Sequence, residues 1–153
     1  MILEAGTADR LPAMARPTAP SEAPLLLFDG ECGLCSAAVQ FILKRDRRRR
    51  LRFAALQTEL GREIMAAQGL DPSDLRTMVL RTELGEVLVR SDAALAAAGE
   101  LRWPWRWATV LRWIPRPLRD TVYRLIAKYR HRLFRPPASC FVPEPEDAQR
   151  FLG

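Results

Sequence analysis

From residue 24 onward the apolar and polar positions fall into blocks that switch between two periods. LLLF, residues 25–28, is a continuous apolar run bounded by Pro24 and by Asp29-Gly30, which predicts a buried strand. From Cys35 the period becomes helical. Cys35, Ala38/Val39 and Ile42/Leu43 share one face while Gln40 and Lys44 fall elsewhere, and the helix is expected to end near an arginine run. LRFAAL, 51–56, predicts a second strand, and a second helix follows with Leu60, Ile64 and Ala67 on one face and Gly69 as its stop. TMVLRT, 77–82, and EVLVRS, 86–91, are joined by Glu83-Leu84-Gly85, the pattern of a hairpin. Ser91 or Asp92 suits the N-cap of an alanine-rich helix over 92–100.

The order β-α-β-α-β-β-α predicts an α/β chain with one mixed sheet and helices on its faces. Beyond it, Trp107, Val110, Leu111 and Ile114 follow helical spacing, and Pro115 and Pro117 interrupt. A longer helix is expected from about Leu118 to Leu133, with Leu118, Val122, Leu125, Ile126 and Tyr129 as its apolar face. Residues 1–23, rich in Ala, Pro and Thr, read as a flexible tail. Residues 24–136 read as the folded domain, with a C-terminal helical region over about 101–135. Residues 137–153 read as a proline-rich tail that Phe141, Val142 and Phe151 can pack.

With 153 residues and 48% apolar content, the chain is long enough for one domain with a hydrophobic core and too apolar for compositional disorder. No apolar run is long enough to cross a bilayer as a helix, and the N-terminus lacks the basic and apolar segments of a secretory signal. A cytoplasmic location is therefore expected. The net charge of +6 is unevenly spread: segment 44–52 carries +6 and segment 101–135 carries +9, leaving the remainder at −9. In the first segment, cations at a helix C-terminus and a solvated turn are the favoured explanation. In the second, LRWPWRWATVLRW places four Trp that cannot share one face of a helix. Some are expected in the core and others near the surface, with Arg stems covering the rings. Contact with a membrane surface is the competing reading.

Candidate chemistry centres on Asp29, Cys32 and Cys35. With Cys32 at a helix start and Cys35 one turn later, the sulfurs share a face and meet the reach of a disulfide. The helix N-terminus favours a thiolate at Cys32, the attacking species in thiol–disulfide exchange. Cys35 would then resolve the mixed disulfide. Asp29 reads as the acceptor of the Cys35 proton or as structural support at an Asp-Gly turn. Glu31 opposes the thiolate and Gly33-Leu34 brings no cation, so a mildly reducing or intermediate couple is expected. The rival is a zinc site of Cys32, Cys35, His131 and Cys140, but the second pair is nine apart, whereas structural zinc is usually held by two tight pairs. No cofactor and no metal are expected.

Asp29-Gly-Glu-Cys32-Gly-Leu-Cys35 resembles the motif of the DCC-type thiol–disulfide oxidoreductases, as do the blocks 41–61, 89–99 and 114–134. The resemblance covers roughly 24–143. It implies a thioredoxin-like mixed sheet, a protein-disulfide reductase activity and a site of Asp29, Cys32 and Cys35. It implies as partners a disulfide-containing protein or small-molecule thiol substrate and a separate thiol reductant; nucleic acid is not the expected partner. Two departures stand out. An Asn-Arg pair common late in the family's last helix reads Tyr129-Arg130, and the place of the thioredoxin cis-proline reads Leu75-Arg76-Thr77. The alternative function is a basic, Trp/Arg-rich binding module for membrane surface, nucleic acid or protein, with the cysteines as redox switch or zinc clip.

Overall fold

The computed structural model describes residues 23–74, 77–133 and 142–153, apart from the side chain of His131. Strands β1 (Leu25–Phe28), β2 (Arg52–Ala55), β3 (Val79–Arg81) and β4 (Val87–Val89) form one sheet in the order β2-β1-β3-β4. β1 pairs parallel to β2 and antiparallel to β3, and β3 pairs antiparallel to β4. Helices α1 (Gly33–Arg45), α2 (Glu59–Ala67), α3 (Arg90–Glu100) and α4 (Arg116–Leu133) surround it. The fold is the expected α/β, thioredoxin-like mixed sheet with flanking helices and an added C-terminal helical region.

LLLF is continuously apolar because both faces of β1 are covered. Leu26 and Phe28 join Val39 and Ile42 of α1 and Ala93 and Ala97 of α3 on one face. Leu25 and Leu27 join Ile64 and Met65 of α2 on the other. Thr58 caps α2 by accepting from the Gly61 amide at 3.1 Å. Gly61 lets that helix approach β2 closely, since a Cβ there would lie 2.5 Å from the Ala55 carbonyl oxygen. The buried face of α2 is therefore Gly61, Ile64 and Met65, and Ala67 is exposed rather than buried.

Ser91 and Asp92 lie inside the first turn of α3, whose N-cap is Val89. Their side chains instead tie α3 to α4: Ser91 Oγ donates to Asp120, and Asp92 pairs with Arg116 at 2.7 Å and Arg119 at 2.8 Å. The Trp-rich stretch folds as a 3₁₀ segment, Trp105–Trp113. None of its four neighbouring tryptophans enters the core; Trp113 is 91% exposed. The expected partial burial is thus corrected. Of the expected Arg cover, Arg45 stands over the Trp105 ring at 5.2 Å.

Several cations of the basic run 44–52 make structural contacts. Lys44 and Arg45 sit in the last turn of α1, Arg50 pairs with Glu83 and Glu100, and Arg49 pairs with Asp147. The chain end lies along β2. Phe151 stacks on Phe53 with ring centroids 5.2 Å apart, and the Leu152 amide donates to the Phe53 carbonyl at 2.8 Å. Arg150 reaches beneath to Asp46 at 2.5 Å, both side chains being buried. Val142 is exposed, and Phe141 lies outside the described residues.

Candidate active site

β1 delivers the chain into a turn, Asp29–Glu31, before α1 begins. The Cys32 amide donates to the Asp29 carbonyl at 3.3 Å, and the Cys32 carbonyl accepts from Ser36 at 2.9 Å. Cys32 is thereby the N-cap of α1, with extended backbone, and Cys35 follows one turn in. Both are free thiols, and they adjoin closely enough to influence each other's ionisation. Cys32 is 1% exposed, whereas Cys35 is half-buried. Burial is the main influence pushing the Cys35 thiol up to about 12, followed by the adjoining Cys32; Arg130 and the Asp29 backbone act in the opposite direction.

The Asp29 carboxylate is 5% exposed and fully engaged. Its Oδ1 accepts from Gln57 Nε2 at 2.8 Å and from the Glu31 amide at 3.0 Å. Its Oδ2 accepts from Arg130 Nη2 at 3.1 Å. Gln57 in turn accepts from the Gly30 amide at 3.1 Å, so the turn is pinned to the end of β2. Arg130 Nη1 stands 3.7 Å from Cys35 Sγ. One guanidinium therefore bridges the buried carboxylate and the half-buried thiol. Next to it, the Tyr123 hydroxyl accepts from the Met78 amide at 2.9 Å, and burial raises the phenol above its ordinary value.

Asp29, Cys32 and Cys35 are thus brought together around the β1–α1 junction. Arg130, the retained half of the family's Asn-Arg pair, and Gln57, which the sequence did not single out, complete the cluster. The signal for Arg130 was its place in the 114–134 block. As one of several basic residues of α4 it carries no sequence mark of burial, yet its side chain is buried. Among the described residues no group of three or more His, Cys, Asp or Glu side chains could hold a metal ion. Cys140 of the zinc reading lies outside the described residues, as does the side chain of His131.

A thioredoxin-like sheet with two thiols at the first strand–helix junction defines a dithiol class of protein. Within that class the chain belongs to the DCC1-like thiol-disulfide oxidoreductase family, whose model matches residues 26–136. It is 41% identical over 128 residues to the uncharacterized protein YuxK of Bacillus subtilis (strain 168), covering 84% of this chain and 93% of that one. It is 35% identical over 118 residues to the DCC family protein At1g52590, chloroplastic, of Arabidopsis thaliana, covering 76% of this chain and 68% of that one. No solved structure matches the chain significantly.

Proposed function

We propose that the protein is a cytoplasmic thiol–disulfide oxidoreductase that reduces or exchanges disulfides through Cys32 and Cys35. The observation that carries this reading is the pair of interacting free thiols at the N-terminus of α1, with Arg130 held against Cys35 by buried Asp29. Family membership supports the same chemistry. Low cysteine usage, three in 153 residues, fits a reducing compartment.

In this reading the Cys32 thiolate attacks one sulfur of a substrate disulfide. A Cys32–substrate bond forms, the substrate S–S bond breaks, and the leaving thiolate takes a proton. Cys35 then loses its proton and attacks Cys32. The second substrate thiol leaves, and the protein holds a Cys32–Cys35 disulfide. Two electrons have passed to the substrate, and a separate thiol reductant returns the pair to dithiol.

The division of roles follows from the thiols' surroundings. A Cys35 thiol pushed up to about 12 is protonated at neutral pH and is a poor first attacker. Cys32 adjoins the unpaired amides and positive end of α1. Because Cys32 is buried, attack requires a local opening around it. Asp29, already holding Arg130, Gln57 and the Glu31 amide, acts as a positioning residue: it fixes the guanidinium that favours the Cys35 thiolate during resolution.

Reduction of insulin or a small aromatic disulfide by wild type and by Cys32→Ser tests the proposal. Turnover in wild type and none in Cys32→Ser is expected; equal rates would end the enzyme reading.

A further inference from the structure

The apolar stripe of α4 faces away from the protein. Leu118, Val122, Leu125, Ile126, Tyr129 and Leu133 are all exposed, while Arg119, Tyr123 and Arg130 of the same helix turn inward. This is the reverse of an ordinary surface helix, which buries its apolar stripe. The reason lies in the inward contacts. Tyr123 bonds to Met78, Arg119 pairs with Asp92, and Arg130 pairs with Asp29. Polar anchors fix the helix, and among the described residues nothing covers its apolar side. The stripe continues onto the 3₁₀ segment through an apolar groove, where Leu111 and Ile114 meet Leu118, Val122 and Ile126 over Leu95 of α3. Trp113, the last residue of the 3₁₀ segment, is exposed next to Ile114 in the chain.

Charge decides what covers this face. Arg112, Arg124, Lys128 and Arg132 are exposed on the same two elements, Arg124 and Lys128 on the flank of α4 that also lines a cavity with Asp71 and Asp74, while exposed Arg116 pairs with Asp92. The acid within 101–133 is Asp120, which is engaged by Ser91. A second copy seated by two-fold symmetry would bring the same cations against themselves. An anionic surface meets them with opposite charge, and long Arg and Lys stems let apolar residues sink while the charges stay at headgroup level. An exposed Trp beside Leu, Val and Ile suits that interface. No helix among the described residues is long and apolar enough to cross a membrane, so the mode is one of lying on it.

We infer that α4 and the end of the 3₁₀ segment form a docking face for an anionic lipid bilayer. The helix rests in the headgroup region on its apolar stripe, with the basic residues on the lipid phosphates and carboxylates.

Cosedimentation of the full chain tests this with vesicles of phosphatidylcholine alone and of phosphatidylcholine with an equal amount of phosphatidylglycerol, at physiological salt. Binding to the anionic vesicles only, weakened by high salt and accompanied by a blue shift of Trp emission, is expected. Leu125→Asp and Trp113→Ala should each lower the partition coefficient at least tenfold with unchanged melting temperature. The triple change Arg124→Glu, Lys128→Glu, Arg132→Glu should abolish binding. Absence of binding to the anionic vesicles would overturn the inference. So would equal binding to both vesicle types, or full binding by Leu125→Asp. A concentration-dependent dimer broken by Leu125→Asp, from a chain that ignores vesicles, would assign the face to a second copy instead.

Discussion

At Cys35 burial and the neighbouring thiol hold the proton on, while the Arg130 guanidinium, 3.7 Å away, draws the balance back toward thiolate. Resolution in the proposed cycle depends on that balance, because only the thiolate attacks. The sign follows directly. Well below the raised pKa the reactive fraction of Cys35 grows about tenfold per pH unit, so resolution should accelerate as pH rises through neutrality. Stopped-flow release of the second substrate thiol, followed from pH 6 to 9 (about neutrality, where thiols begin to ionise), measures it; a flat profile would contradict burial control of Cys35. Replacing Arg130 by Leu should push the Cys35 thiol higher and slow resolution, with Arg130→Lys restoring part of the rate. It also strands Asp29 in the interior, so a loss of about 3–5 kcal/mol in denaturant unfolding is expected, as for one partner of a buried ion pair. Rate and stability should separate in the Lys variant, which keeps a charge near the thiol without the two-pronged geometry.

Among the elements, the C-terminal strip holds β2 through one buried contact set. Arg150 joins Asp46 at 2.5 Å and the Leu51 carbonyl at 3.1 Å beneath the stacked Phe151. Arg150→Ala should cost about 3–5 kcal/mol of stability, seen as a lower denaturant midpoint. Gly61→Ala, which drives a Cβ into the Ala55 carbonyl, should cost about 1–3 kcal/mol by the same measure. The strands and the first three helices were legible in sequence because period and burial agree there: LLLF is apolar throughout and covered on both faces. The 3₁₀ segment and α4 were legible as helical stripes but not as to which side is covered. Periodicity reports that a stripe exists; tertiary polar contacts, here Tyr123–Met78 and Arg130–Asp29, decide its direction. The inward direction of Arg130 was hidden for the same reason, and Gln57 was hidden altogether, a loop residue whose link to Asp29 spans 28 positions.

Over the whole molecule, the candidate active-site junction and the cationic helical region are separate features joined by α4, whose inward side reaches Cys35 and whose outward side carries the exposed stripe. The redox couple expresses the surroundings as a unit. Cys35 is held protonated and Glu31 stands at the helix start. The potential should lie nearer thioredoxin's, about −270 mV, than the roughly −120 mV of a strong oxidant. Equilibration against glutathione, read by mass after alkylation, checks this; a strongly oxidising value would show that the thiolate is better stabilised than these contacts allow.

The most direct measurement of the central claim is mixed-disulfide trapping in a Cys140→Ser background. The Cys35→Ser variant, treated with a small disulfide, should accumulate a covalent adduct on Cys32 despite that residue's 1% exposure. The Cys32→Ser variant should react far more slowly. Faster adduct formation on Cys35 than on Cys32 would contradict the account and make the half-buried thiol the attacking one.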